Sequence, residues 1–290
     1  TISFPVKLTG GFNDGDSGPI DANKTFINPT ELTLVAGEEK PVFLELRTKD
    51  EKRKNYWFEK PEDHIFVKFP DDVKKCTYSL AQNEKPGQYD IKFVCTEKKD
   101  PFKVTVFVEG KEVPQKVTLT VVPGAPAKSR LFRMTGEEIK VSNLGNVSVE
   151  DKFQMINRLY DKYDNLITNI NFPLSTLEIK MAPSNSSVVG HKYAADLAAQ
   201  TNGEIIITLT STYAGEHVVT GLYFPLEKYT ILFTHGEPDA DNSIVDVSHT
   251  ERYVGEEVKV YITPYDKYNN YIDAMEYPSF ILGIARSEER

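Results

Sequence analysis

Two cysteines, five histidines and three asparagine sequons are the residues of this 290-residue chain whose types invite chemistry. Cys76 and Cys95 lie in two alternating segments whose midpoint falls near Lys85-Pro86, so a hairpin there sets them directly opposite each other on adjacent antiparallel strands. Opposed positions bring Cβ atoms within disulfide range, which favours a bond. The alternative is a pair of small buried hydrophobes in a reducing compartment. With no histidine nearby, cysteines nineteen apart imply no metal site. Sequons begin at Asn23, Asn146 and Asn185, all in expected loops or strand edges that leave room for a glycan. His64, His191, His217, His235 and His249 fit no His-Glu-x-x-His metal pattern, and the chain lacks a Gly-x-Ser-x-Gly elbow, a phosphate loop and a Gly-x-Gly-x-x-Gly turn. No catalytic residue, cofactor or metal is therefore expected, and the chain is not expected to be an enzyme. His217 alternates with apolar neighbours, the usual setting of a structural histidine. Two acidic runs, 13–18 and 237–242, read as solvated loops; the first lacks the glutamate that a helix-loop-helix calcium site needs at its twelfth position, where Thr25 sits. Trp57, the sole tryptophan, reads as part of a loop folded over a sheet edge, with an exposed binding patch as the alternative.

The elements that must position these residues are strands. Tyr160-Asp161-Lys162-Tyr163-Asp164-Asn165 returns as Tyr265-Asp266-Lys267-Tyr268-Asn269-Asn270, an offset of 105 residues, and each copy closes an alternating run. Period-two patterning followed by Asp/Asn punctuation predicts a strand entering a turn. A period near 100 residues is the size of one β-sandwich, so tandem domains follow. The expected divisions are 1–25, the last strand of a preceding repeat or an extension; 26–124 and 125–238, two full repeats; and 239–290, the start of a third. About three strands of that third repeat precede Arg290, so its remaining strands are expected from further chain or from a partner. Plentiful aromatic and β-branched residues, without capped 3.6-residue apolar stripes, predict an all-β fold. A net charge of −9 and a pI near 5.2 exclude nucleic acid as a main partner. The one dense basic run, Lys49 to Lys54, is broken by Asp50 and Glu51 and reads as a solvated loop. No apolar run reaches the ~18 residues of a membrane span.

The segment from Gly87-Gln88-Tyr89 through Phe102–Val113 to Pro123-Gly124 resembles the second half of a filamin-type immunoglobulin repeat, and Asn202–Thr210, Tyr213–Val219 and Tyr229–Phe233 restate it. Gly203 and Gly215, twelve apart, lead what the resemblance makes strands E and F. Two departures stand out: repeat one has Asp50-Glu51-Lys52 in place of the Asp-Lys-Tyr turn, and the Gly-Pro that follows this turn in the family is missing. The resemblance implies tandem filamin-type immunoglobulin-like β-sandwiches that bind protein partners, by strand addition beside strands C and D. It places C near Leu174–Ile179 and D near Lys192–Leu197, with Leu177, Ile179, Tyr193 and Leu197 at the partner-binding edge. The implied role is a non-enzymatic rod that spaces and binds proteins, other copies of itself included. Sequons and paired cysteines favour a cell-surface or extracellular adhesion setting; the alternative is a cytoplasmic, actin-crosslinking scaffold segment.

Overall fold

A computed structural model describes residues 18–248 and 258–273. The chain is nearly all β, with 49% of residues in strands and 3% in helix, and forms two compact units: residues 1–127 with 160–167, and residues 128–159 with 168–290.

Unit one is a sandwich. Strands β1 (Phe26–Asn28), β3 (Glu39–Glu45), β6 (Gln88–Cys95) and β5 (Cys76–Gln82) make one sheet in the order β1-β3-β6-β5. The other runs β2 (Glu31–Val35), β9 (Val117–Val122), β7 (Lys99–Val108) and β4 (Ile65–Lys68), with the short β8 (Lys111–Glu112) on β7. Strict alternation explains the pairing of layers. Tyr89, Ile91, Phe93 and Cys95 of β6 turn inward and are fully buried, against Val104, Val106 and Val108 of β7 and Val117, Leu119 and Val121 of β9. A one-residue slip would place this whole set in water, so the buried face fixes the register.

Unit two repeats the plan. Its sheets are β10 (Lys128–Arg133), β12 (Phe153–Tyr160), β15 (Glu204–Ser211), β14 (Tyr193–Ala199), and β11 (Asn143–Ser148), β17 (Tyr229–Thr234), β16 (Gly215–Thr220), β13 (Lys180–Pro183). In both units the second strand pairs in parallel with the last, Glu31↔Thr118 and Ser148↔Thr234 being examples. This ABED/CFG arrangement is that of an immunoglobulin-like sandwich. A separate hairpin joins β18 (Ile244–Val247) to β19 (Val260–Thr263).

One expected strand is misplaced. Leu174–Leu177 is a 3-10 turn entered from Pro173 and closed by Glu178 in a left-handed conformation (φ 50°), so strand C is β13, beginning at Lys180. Extended backbone cannot run through a left-handed residue, and Leu177 swings into the core, 2% exposed. Ile179 precedes β13 and packs partly buried on the same core.

Candidate functional site

The repeated motif is a side-chain clasp. Asp161 is buried at the start of its turn, and its Oδ1 accepts the N–H groups of Tyr163 (2.8 Å) and Asn165 (2.9 Å). Its Oδ2 accepts the Gly124 N–H (2.9 Å) and the Asn165 Nδ2–H (2.8 Å). Asn165 then reaches the loop between β6 and β7: Nδ2 donates to the Thr96 carbonyl (2.9 Å), and Oδ1 accepts the Lys98 N–H (2.7 Å). Every one of these six bonds recurs in unit two. Asp266 accepts from Tyr268, Asn270 (backbone and side chain) and Gly236 at 2.8–2.9 Å, while Asn270 donates to the Thr212 carbonyl (3.0 Å) and accepts the Ala214 N–H (2.8 Å). The turn requires a residue of positive φ at its fourth position, supplied by Asp164 (71°) and Asn269 (64°), a type of residue that tolerates this region.

Burial pushes both Asp carboxyls up, but the hydrogen bonds donated to them outweigh it and hold both below the usual carboxylate value of 3.8. In unit one Tyr163 also lies over Gly37, whose φ is +83°; a Cβ there would come within 2.2 Å of the Tyr163 hydroxyl. Repeat one carries the same backbone turn, with the Thr48 N–H donating to the Lys52 carbonyl (2.9 Å) and Glu51 at φ 63°. Thr48, two residues before the Asp50 expected at the head of the turn, thus takes the place of Asp161, with Arg47 in that of Tyr160 and Lys52 in that of Asn165. A hydroxyl offers two acceptor lone pairs where the Asp161 carboxylate takes four donors, and a lysine ammonium cannot accept as Asn165 Oδ1 does from Lys98. Sequence inspection finds the motif by its repetition, but not that Asp and Asn do the work, because Lys and Tyr recur equally.

Directly behind each clasp the two units differ. Cys76 and Cys95 are register partners joined by a disulfide (S–S 2.01 Å), which ties the edge strand β5 to β6 inside one sheet, not across the two sheets as in antibody domains. The matching positions of unit two are Tyr193 and Ser211. There the Ser211 hydroxyl meets His217 Nε2 at 2.9 Å, and His217 Nδ1 meets the Gly215 carbonyl at 3.0 Å. His217 is fully buried, and burial pushes its pKa below 6.5, partly countered by the Gly215 carbonyl. A serine beside an imidazole can serve as a nucleophile and base. Here the imidazole is sealed among Tyr193, Tyr213 and Phe233 and oriented by a main-chain carbonyl, so the pair is a structural bond.

Tyr193 and Leu197 both lie on β14, the outer strand of its sheet. The Thr212 N–H donates to Lys192, so even-numbered residues bond towards β15 and odd-numbered ones (Tyr193, Ala195, Leu197, Ala199) turn their backbone groups outward. Leu177 and Ile179 do not join this edge. Asn23, Asn146 and Asn185 are all exposed, Asn146 on the edge strand β11. Around Trp57 the loop is pinned by its neighbour Phe58, which stacks on His64 (4.0 Å) and whose N–H donates to the Tyr89 hydroxyl (2.5 Å); Trp57 itself is 36% exposed. Of the acidic runs, the first lies outside the described residues except for Gly18, and in the second Asp239 accepts the Asp241 and Asn242 N–H groups.

No protein-family model and no curated protein matches the chain. Among solved structures it is similar to FdeC, described as a broadly conserved Escherichia coli adhesin that elicits protection against urinary tract infections, with 17% identity, a TM-score of 0.51 and coverage of 87% of this chain and 76% of that one. It also matches invasin, described as a bacterial integrin-binding protein (13%, TM-score 0.47, 86% of this chain and 57% of that one), and Yersinia pseudotuberculosis InvD (16%, TM-score 0.43, 87% and 73%). The likeness to FdeC is one of fold, that of immunoglobulin-like β-sandwich repeats.

Proposed function

We propose that the chain is a non-enzymatic segment of an extracellular or cell-surface adhesion protein, built of filamin-type sandwich repeats over 26–124 and 125–238 with a further repeat from 239. The observation that carries this reading is the Cys76–Cys95 disulfide, because such bonds persist in oxidising compartments. Three exposed sequons and the fold shared with an E. coli adhesin support it. The repeat bounds are supported by three matching backbone bonds, Asp21 N–H to Arg47 (2.8 Å), Ala127 N–H to Tyr160 (2.9 Å) and Asp239 N–H to Tyr265 (2.8 Å), which align Gly18, Gly124 and Gly236 as the start of three equivalent linkers.

Partner proteins add a strand at β14. Tyr193, Ala195, Leu197 and Ala199 turn their backbone groups outward, as an added strand needs, whereas β13, the outer strand of the other sheet, ends at Pro183, which has no N–H to give. Tyr193 and Leu197 then supply side-chain specificity. The alternative, a cytoplasmic actin-crosslinking rod, predicts free thiols. Intact mass and thiol labelling of the protein from its natural source, without reductant, decides between them. Unreactive cysteines with hexose-rich adducts at Asn23, Asn146 or Asn185 support the surface reading; an unmodified chain with two reactive thiols overturns it in favour of the actin-linked one.

A further inference from the structure

The two clasps are chemically alike, yet the loops that hold them are tied from behind by different devices. In unit one Cys95 immediately precedes Thr96, whose carbonyl receives Asn165, and the disulfide fixes that strand end covalently. In unit two Ser211 immediately precedes Thr212, whose carbonyl receives Asn270, and the tie is the Ser211–His217 hydrogen bond. Register extends the contrast. Phe102 stands opposite Leu119 where His217 stands opposite Ile231, each partner being the third residue of the last strand of its sandwich. Unit one therefore has an apolar ring at the position where unit two has an ionisable one.

We propose that His217 makes the second clasp a latch that loosens in mild acid, while the disulfide-backed first clasp stays closed over the same range. Neutral His217 donates Nδ1–H to Gly215 and accepts the Ser211 O–H at Nε2. Protonation puts a hydrogen on Nε2, so the Ser211 O–H must turn away, and the Tyr213 carbonyl at 3.1 Å can receive it. The bonds survive; the buried cation does not find a counter-charge. It faces Tyr193 from β14, Tyr213 from the loop, Phe233 from β17 and Ser211 from β15, and its register partners are Pro183 and Ile231. Two nearby ionisable residues are engaged elsewhere: His191 packs on Tyr213 at 5.4 Å, and the adjacent Glu216 is exposed and accepts the Ser184 hydroxyl (2.8 Å). Hydrating the cation requires Tyr213–Gly215 to open, and Ala214 in that loop carries the N–H that binds Asn270.

The sign follows from linkage. A histidine whose pKa is depressed in the closed state contributes stability above 6.5, and the open state gains as pH falls below 6.5. Site-resolved amide exchange on the whole chain, corrected for intrinsic rates, tests this between pH 7.5 and 5.0. The expected result is a fall in Ala214 protection as pH drops below 6.5, at most about tenfold per pH unit for a single proton, with Lys98 unchanged. His217→Gln should retain protection and abolish the response, and His217→Phe, which copies Phe102, does the same if the glutamine variant fails to fold. Equal behaviour of Ala214 and Lys98 in the unaltered protein, or a pH response that persists in a folded His217 variant, overturns the proposal.

Discussion

At the scale of single residues, stability concentrates in Asp161 and Asp266. Each carboxylate satisfies three backbone N–H groups and an Asn side chain in a buried setting, and removing a buried acceptor leaves its donors unpaired. Asp161→Ala should lower the unfolding free energy of unit one by about 2–4 kcal/mol, and Asp266→Ala should do so for unit two. Thr48→Ala, at the same turn position in repeat one, should cost less, since a neutral hydroxyl accepts fewer and weaker bonds than a carboxylate holding four donors. Denaturant unfolding followed unit by unit reads the difference, and equal costs for Thr48 and Asp161 would reject the assignment. Gly37→Ala should destabilise unit one twice over, through its positive φ and the Tyr163 ring; Tyr163→Ala relieves only the second, so the double variant should recover part of the loss.

At the scale of elements, the informative contrast is between the two edge strands β5 and β14. The disulfide closes a nineteen-residue span, and replacing Cys76 and Cys95 with Ser should lower stability by about 3 kcal/mol and expose β5 to exchange. On β14 the N–H of Ala195 points away from β15, so Ala195→Pro removes an outward donor and leaves the ladder intact. Loss of partner binding with an unchanged circular dichroism spectrum is the expected outcome; retained binding would move the docking edge elsewhere. Leu177 is no substitute for this test, since its burial in the 3-10 turn makes any loss a folding defect.

For the whole molecule, two acid windows should separate. His217 affects unit two below pH 6.5, whereas the clasps weaken in both units only as pH falls below the ordinary carboxylate value of 3.8 and through their depressed pKa values, because stability from a depressed carboxylate is present above that value and lost below it. A pH titration of unfolding should show unit two declining first, and Asp161→Asn should flatten only the lower window of unit one. Simultaneous loss in both units near pH 6 would contradict this order.

The all-β class and the opposition of Cys76 to Cys95 were legible in the sequence, because period-two alternation and hairpin spacing are local properties of the chain. So was the repeat of the Asp-Lys-Tyr turn. Strand C was not: whether Leu174–Ile179 extends or turns depends on where Leu177 finds a core, and its local pattern fits either. Nor could the sequence show which letters of the repeated motif act, since that depends on backbone bonds to Gly124, Thr96 and Lys98, some 37 to 69 residues away, or that Thr48 aligns with Asp161, which rests on the turn bond from the Thr48 N–H to the Lys52 carbonyl. The equivalence of the disulfide with the Ser211–His217 bond is likewise a tertiary fact. It joins residues of unlike type, and only a shared register behind a shared clasp makes them counterparts.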